Sequence, residues 1–321
     1  MIIANNLYKE YILKRGILKK KYDKKIAVND VSLNIKKGSI VGLLGVNGAG
    51  KTTTIKMLTT MLSPTHGSIL IDEVNAIDKH MEAKKKINLI TGGERNIYWR
   101  LSAKENLNYF GSLYGLSKID LNNQVEKVLK IVDLEDVKDI PVEKYSKGMK
   151  QRLQIARGLI NNPDYLFMDE PTLGLDIMIT KSIHEYIKKL AHEENKGILI
   201  TTHYIHEAED ICDYIYVIDH GRIIAEGTSE QIKELYTHKQ VYNIKTTELE
   251  ENQINAIQRI YDGKAEVKLA NDMDGLNIKA DNLDFNEIME VLNINNIKIE
   301  SIGKSEFTLE DALYEMLEGV S

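Results

Sequence analysis

Gly45-Val46-Asn47-Gly48-Ala49-Gly50-Lys51-Thr52 stands between an apolar run, Ile40 to Leu44, and a stretch that begins Thr53-Thr54-Ile55-Lys56-Met57-Leu58. The eight residues satisfy the spacing G-x-x-x-x-G-K-[ST]. Their flanks predict a strand that feeds a glycine-rich turn and then opens a helix. Such a turn aims several backbone N–H groups and a helix N-terminus at one place, which suits a polyphosphate. Gly45, Gly48 and Gly50 allow close approach of the backbone, and Asn47, Ala49 and Thr53 complete the cradle. Lys51 can reach terminal phosphate oxygens, and the Thr52 hydroxyl can ligate Mg²⁺.

Downstream, Tyr165-Leu166-Phe167-Met168 runs into Asp169-Glu170-Pro171, and Gly197-Ile198-Leu199-Ile200 runs into Thr201-Thr202-His203. Both read as buried strands. Between residues 102 and 160 the period is helical, with Val125, Val128, Leu129 and Val132 on one stripe. Strands alternating with helices predict a parallel α/β sheet covered on both faces. Ligands of such sheets bind beyond the carboxyl ends of the strands, where Gly45, Asp169 and His203 fall. A carboxylate at the Asp169 position can hold Mg²⁺, and Glu170 is placed to deprotonate an attacking water.

Composition narrows the class. The 321 residues are 43% hydrophobic and 28% charged, an ordinary globular balance with enough chain for two domains. A net charge of -6 argues against a general nucleic-acid binder. No apolar run reaches the roughly 18 residues that span a bilayer, and the N-terminus has no signal-peptide pattern. The lone Cys212 excludes an internal disulfide. Residues 9–25 carry eight lysines and arginines against two acids, which fits either a solvated loop or an approach to anionic lipid headgroups. From Val241 onward the pattern changes to strand, helix, strand, strand, helix, strand, with a last helix starting at the capping-box spacing of Thr308 to Asp311. That order predicts a small ferredoxin-like α+β domain over 238–321, after a first domain over 1–237.

Tyr145-Ser146-Lys147-Gly148-Met149 lies ahead of the helical run Leu153, Ile155, Ala156 and Leu159, with Ser146 23 residues before Asp169. In that order of motifs the segment resembles the LSGGQ signature of ATP-binding cassette proteins. The resemblance covers residues 1 to about 235. It implies a P-loop NTPase cassette with a RecA-like parallel core, an antiparallel β subdomain and a helical subdomain over about 95–155. It further implies ATP with Mg²⁺ as ligands, the metal held by Thr52 and Asp169. Lys51, Glu170 and the switch histidine, His203, are the implied catalytic groups. Ser146 and Gly148 would face the nucleotide of a second copy or close paralogue, and Asp176 in Gly174-Leu175-Asp176 resembles the D-loop residue between two cassettes. Tyr22, with Tyr11 as its rival, stands where the family stacks an aromatic on adenine.

Three positions depart from the pattern. Lys147 and Met149 replace residues of the usual Gly-Gly-Gln, and the expected Q-loop reads Gly92-Gly93-Glu94-Arg95 without a glutamine. Glu94 is the candidate for its metal-sensing role, with a water as the alternative. Tyr98, Trp99 and Arg100 then fall where the family meets its membrane partner, or in the core of the helical subdomain. The chain is most similar to the ATP-binding subunits of ABC-2 exporters. It is therefore expected to be an ATPase that powers an integral membrane permease from the cytoplasmic face. The alternatives are a soluble ABC ATPase and a nucleotide-gated regulatory module without transport.

Overall fold

The computed structural model describes residues 1–15, 21–91, 97–235, 239–246, 249, 251–261, 265–269, 275–281, 285–305 and 308–318. Contacts divide the chain into two units, Met1–Thr228 and Ser229–Ser321. The first contains strands β1 (Ile2–Arg15), β2 (Lys21–Ile35), β3 (Ile40–Leu44), β4 (His66–Ile71), β5 (Val74–Asn75) and β6 (Ile87–Thr91). It continues with β7 (Tyr165–Asp169), β8 (Gly197–Thr202), β9 (Tyr214–Asp219) and β10 (Arg222–Gly227). Its helices are α1 (Lys51–Leu58), α2 (His80–Lys86), α3 (Ala103–Leu113), α4 (Lys118–Ile131), α5 (Lys147–Leu159), α6 (Ile177–Lys188) and α7 (Ile205–Ile211).

Six strands form one sheet in the order β10-β9-β3-β8-β7-β6, parallel except for β10. β1, β2, β4 and β5 form a separate antiparallel sheet in the order β2-β1-β4-β5. Successive side chains of a strand point to opposite faces, so the unbroken buried runs of β3, β7 and β8 make the parallel sheet apolar on both faces. Leu166, Met168, Ile198 and Ile200 pack in one core with Leu107, Val125, Val128, Leu153 and Leu159 of the helical region. Their neighbours Tyr165, Phe167 and Leu199 pack in another core with Ile2, Leu7, Val28, Val31 and α1. β3 is buried along its whole length, as a central strand must be.

Register matters most for function. Leu44 pairs with Thr202 and Asp169 pairs with Thr201, so the ends of β3, β8 and β7 are level at one edge. The segments that follow these three strands therefore leave side by side. The helices of the region start on good caps. Ser102 and Glu105 form a reciprocal capping box on α3, and Ser117, Ser146 and Asp176 cap α4, α5 and α6. Each such cap contributes about 1 kcal/mol.

The second unit begins with α8 (Ser229–Glu234), where the sequence reading places the division after residue 237. It then has β11 (Lys239–Thr246), α9 (Glu251–Ile260), β12 (Ala265–Leu269), β13 (Gly275–Asp281), α10 (Phe285–Ile294), β14 (Ile299–Ser305) and α11 (Leu309–Glu318). Its sheet is antiparallel in the order β12-β13-β11-β14, the split β-α-β arrangement. Tyr242, Ile244, Ile257, Leu276, Ile278, Ile288 and Leu292 make its core. Thr308 caps α11 by accepting from the Asp311 N–H, and Asp311 accepts in return from the Thr308 N–H. Among the described residues no helix is long and apolar enough to cross a membrane.

Candidate functional site

Two glycines of the turn after β3 leave no room for a side chain. A Cβ on Gly45 would run into the carbonyl of Ile218, and one on Gly50 would lie 2.6 Å from the carbonyl of Ala27 at a φ of +112°. Gly50 is also the N-cap of α1 and offers no side chain. The first N–H groups of that helix therefore carry no side-chain partner and present their partial positive charge to whatever occupies the turn.

Lys51 is buried, and its ammonium folds back to donate to the carbonyls of Gly45 at 2.6 Å and Val46 at 3.2 Å. It stands 3.9 Å from Glu170 Oε1. Burial pulls its pKa below the usual lysine value, against the opposing pull of Glu170 and Asp169. Thr52 donates to Asp169 Oδ1 at 3.4 Å, and that same oxygen accepts from the Thr201 hydroxyl at 2.6 Å. The donor set at this point is a carboxylate and a hydroxyl, both hard oxygen ligands. It fits a Mg²⁺ ion that takes its remaining ligands from phosphates and water. Glu94 and Gly92–Arg95 lie outside the described residues.

Glu170 has a left-handed backbone, φ 50°, which costs a non-glycine residue about 1–3 kcal/mol. Its N–H donates to the Thr201 carbonyl at 3.2 Å and to the Thr201 hydroxyl at 3.1 Å, and its carbonyl accepts from Leu173. These bonds hold the bend that turns the side chain out of the strand. Its Oε1 lies 3.2 Å from His203 Nδ1. A carboxylate can only accept, so this contact requires the proton on Nδ1 and leaves Nε2 available. Thr201 thus organises both acids, yet in the sequence it is only the end of an apolar strand. The register that sets it opposite Asp169 is not a local property.

Lys51, Thr52 and Glu170 border a cleft of about 610 Å³, lined further by Asn47, Gly48, Gly50 and Thr53 of the turn and by Tyr11, Lys25, Ile26, Ala27, His220 and Gly221. Among the described residues the tyrosine on its wall is Tyr11, opposite Lys25 in the β1–β2 pairing. The side chain of Tyr22 lies outside the described residues. The remaining expected residues form a second group. Ser146 accepts from the Met149 N–H at 3.2 Å, and Asp176 accepts from the Ile179 N–H at 3.0 Å. Gly148 is packed so closely that a Cβ would lie 2.8 Å from Ile179, and Lys147 donates to the carbonyl of Gly174. Among the described residues no hydrogen bond or ion pair joins Ser146, Gly148 or Asp176 to residues 45–52.

A glycine cradle, a buried lysine, a strand-end Asp-Glu pair and a histidine on the base define a P-loop nucleotide hydrolase. The family model described as ABC transporter matches residues 28–173. The chain is 42% identical to "ABC transporter ATP-binding protein NatA" of Bacillus subtilis over 208 residues, 65% of this chain and 84% of that protein. It is 40% identical over 216 residues to "Nod factor export ATP-binding protein I" of Cupriavidus pinatubonensis, 67% of this chain and 66% of that one. Among solved structures it resembles the dimeric cassette MJ0796 in a post-hydrolysis state with ADP and Pi. That match has a TM-score of 0.61 and 29% identity, over 71% of this chain and 98% of the other. The chain belongs to the ATP-binding proteins of ABC transporters, and it is an ATPase.

Proposed function

We propose that this chain is the motor subunit of an exporter: two copies close over two ATP molecules, and hydrolysis drives an integral membrane permease from the cytoplasmic face. The observation that carries the reading is Glu170, which lines the cleft with Lys51 3.9 Å away and His203 3.2 Å away. The export names of relatives and the dimeric state of a similar cassette support it.

In this reading the N–H groups of the turn and Lys51 hold the β and γ phosphates and stabilise charge as it develops on them. When bound, Mg²⁺ would be held by Thr52 and Asp169 and would neutralise phosphate charge. Glu170 accepts a proton from the water that attacks the γ-phosphate, and His203 in its imidazolium form, with a proton on each ring nitrogen, donates to Glu170 through Nδ1 and to a γ-oxygen through Nε2. Ser146, Gly148 and the N-terminus of α5 serve the nucleotide held by the other copy, with Asp176 at the junction. This explains why they lie apart from the turn of their own chain. Phosphate loss removes the charge that both copies grip, so they separate.

A sandwich makes turnover second order in protein when dilute. Phosphate release per chain with Mg-ATP is expected to rise with chain concentration and then level off. A rate per chain that stays constant over a hundredfold dilution, checked by sedimentation as monomeric, would reject the shared site.

A further inference from the structure

The segment that follows Glu170 is held from two sides by groups the hydrolytic reading does not use. The Pro171 carbonyl accepts from Gln151 Nε2 at 2.7 Å, so α5 grips its backbone. The Thr172 hydroxyl donates to Glu207 Oε1 at 2.5 Å, and His184 Nε2 lies 3.1 Å from the same oxygen. Thr172, His184 and Glu207 are 6%, 7% and 6% exposed, so no solvent competes for these bonds.

The three side chains come from three different segments. Thr172 is two residues beyond Glu170, Glu207 is four beyond His203 on α7, and His184 is on α6, the helix capped by Asp176. A hydrophobic core would join these elements without direction. A buried carboxylate is costly unless its partners are in place, so it fixes one arrangement and penalises others.

We propose that Glu207 is a positioning residue for hydrolysis: through Thr172 and His184 it ties the segment carrying the base to the helix that follows the γ-phosphate histidine, so that Glu170 and His203 reach the nucleotide together. The proposal rests on the hydrolytic roles given above to those two residues. Burial alone would raise the Glu207 pKa, but the bonds from His184 and Thr172 to Oε1 oppose it, and the group is held below its usual value. The carboxylate is thus kept charged inside the protein and remains a strong acceptor for both donors.

Thr172→Val keeps the shape of the side chain and deletes the donor. In the full chain it is expected to lower kcat for Mg-ATP by about tenfold to a hundredfold, the scale of a small misplacement of reacting groups. KM for ATP should stay within about twofold, because the phosphate turn is untouched, and Thr172→Ser should restore kcat. Glu207→Gln, which keeps an acceptor oxygen, should be less damaging than Glu207→Leu. A Thr172→Val enzyme with wild-type kcat would overturn the proposal. So would a loss that falls equally on KM and on melting temperature and that Thr172→Ser does not repair. Wild-type protein measured alongside separates the two readings. An inactive wild type defeats the hydrolytic assignment, whereas active wild type with equally active Thr172→Val defeats only the positioning role.

Discussion

Glu170→Gln is expected to bind Mg-ATP as the wild type does and to release phosphate about 10²–10⁴-fold more slowly, the range that general-base catalysis supplies. The substitution preserves size, and the backbone bonds from Glu170 to Thr201 do not involve the side chain. The left-handed bend therefore survives and the side chain still points into the cleft. What changes is chemistry. An amide cannot take the proton of the attacking water, and its oxygen still accepts from His203 Nδ1. Bound ATP then persists, and the protein should collect as a nucleotide-loaded dimer on size exclusion. Phosphate release at the wild-type rate would show that another group takes the proton.

Lys51→Ala acts one step earlier. The ammonium is buried and satisfied by two carbonyls of its own turn, with Glu170 at 3.9 Å. Its removal takes away a charge-assisted contact to phosphate worth about 1.5–3 kcal/mol. It also leaves the carbonyls of Gly45 and Val46, together with Glu170 and Asp169, facing a negatively charged triphosphate with less compensation. ATP affinity should fall by at least about tenfold, and by more than a hundredfold at the upper end of that range. Titration calorimetry with Mg-ATP measures the change, and an unchanged melting curve shows that the cradle itself persists. An affinity within twofold of wild type would mean that the triphosphate does not rest on this turn.

The phosphate turn, the strand-end acids and the histidine were legible because each is local: an apolar run, a turn and a helix start lie within a few residues of one another. Strand and helix periodicity likewise carried the element order of the second unit. What the sequence withheld is convergence. Thr201 organises Asp169 and Glu170 only because β8 lies beside β7 in a register that pairs Asp169 with Thr201. The Thr172–Glu207–His184 cluster joins residues 35 and 23 positions apart, and none of them carries a motif. Tyr11 lines the cleft through the pairing of a long hairpin, which spacing along the chain does not reveal. The division between the units follows Thr228 rather than residue 237, since α8 associates with α11, about eighty residues further along the chain, which no local pattern reveals.

The shared site at the centre of this mechanism has a direct test in mixing two inactive variants. Ser146→Arg keeps its own phosphate turn but blocks the surface it offers to the other copy, and Lys51→Ala has the opposite defect. Neither alone should hydrolyse Mg-ATP. Equal mixing gives half mixed dimers with one intact site of two, so about a quarter of the wild-type rate should return if each site draws on both copies of a two-fold dimer. A mixture as inactive as its folded components, or a Ser146→Arg protein that hydrolyses at the wild-type rate, would contradict the shared site.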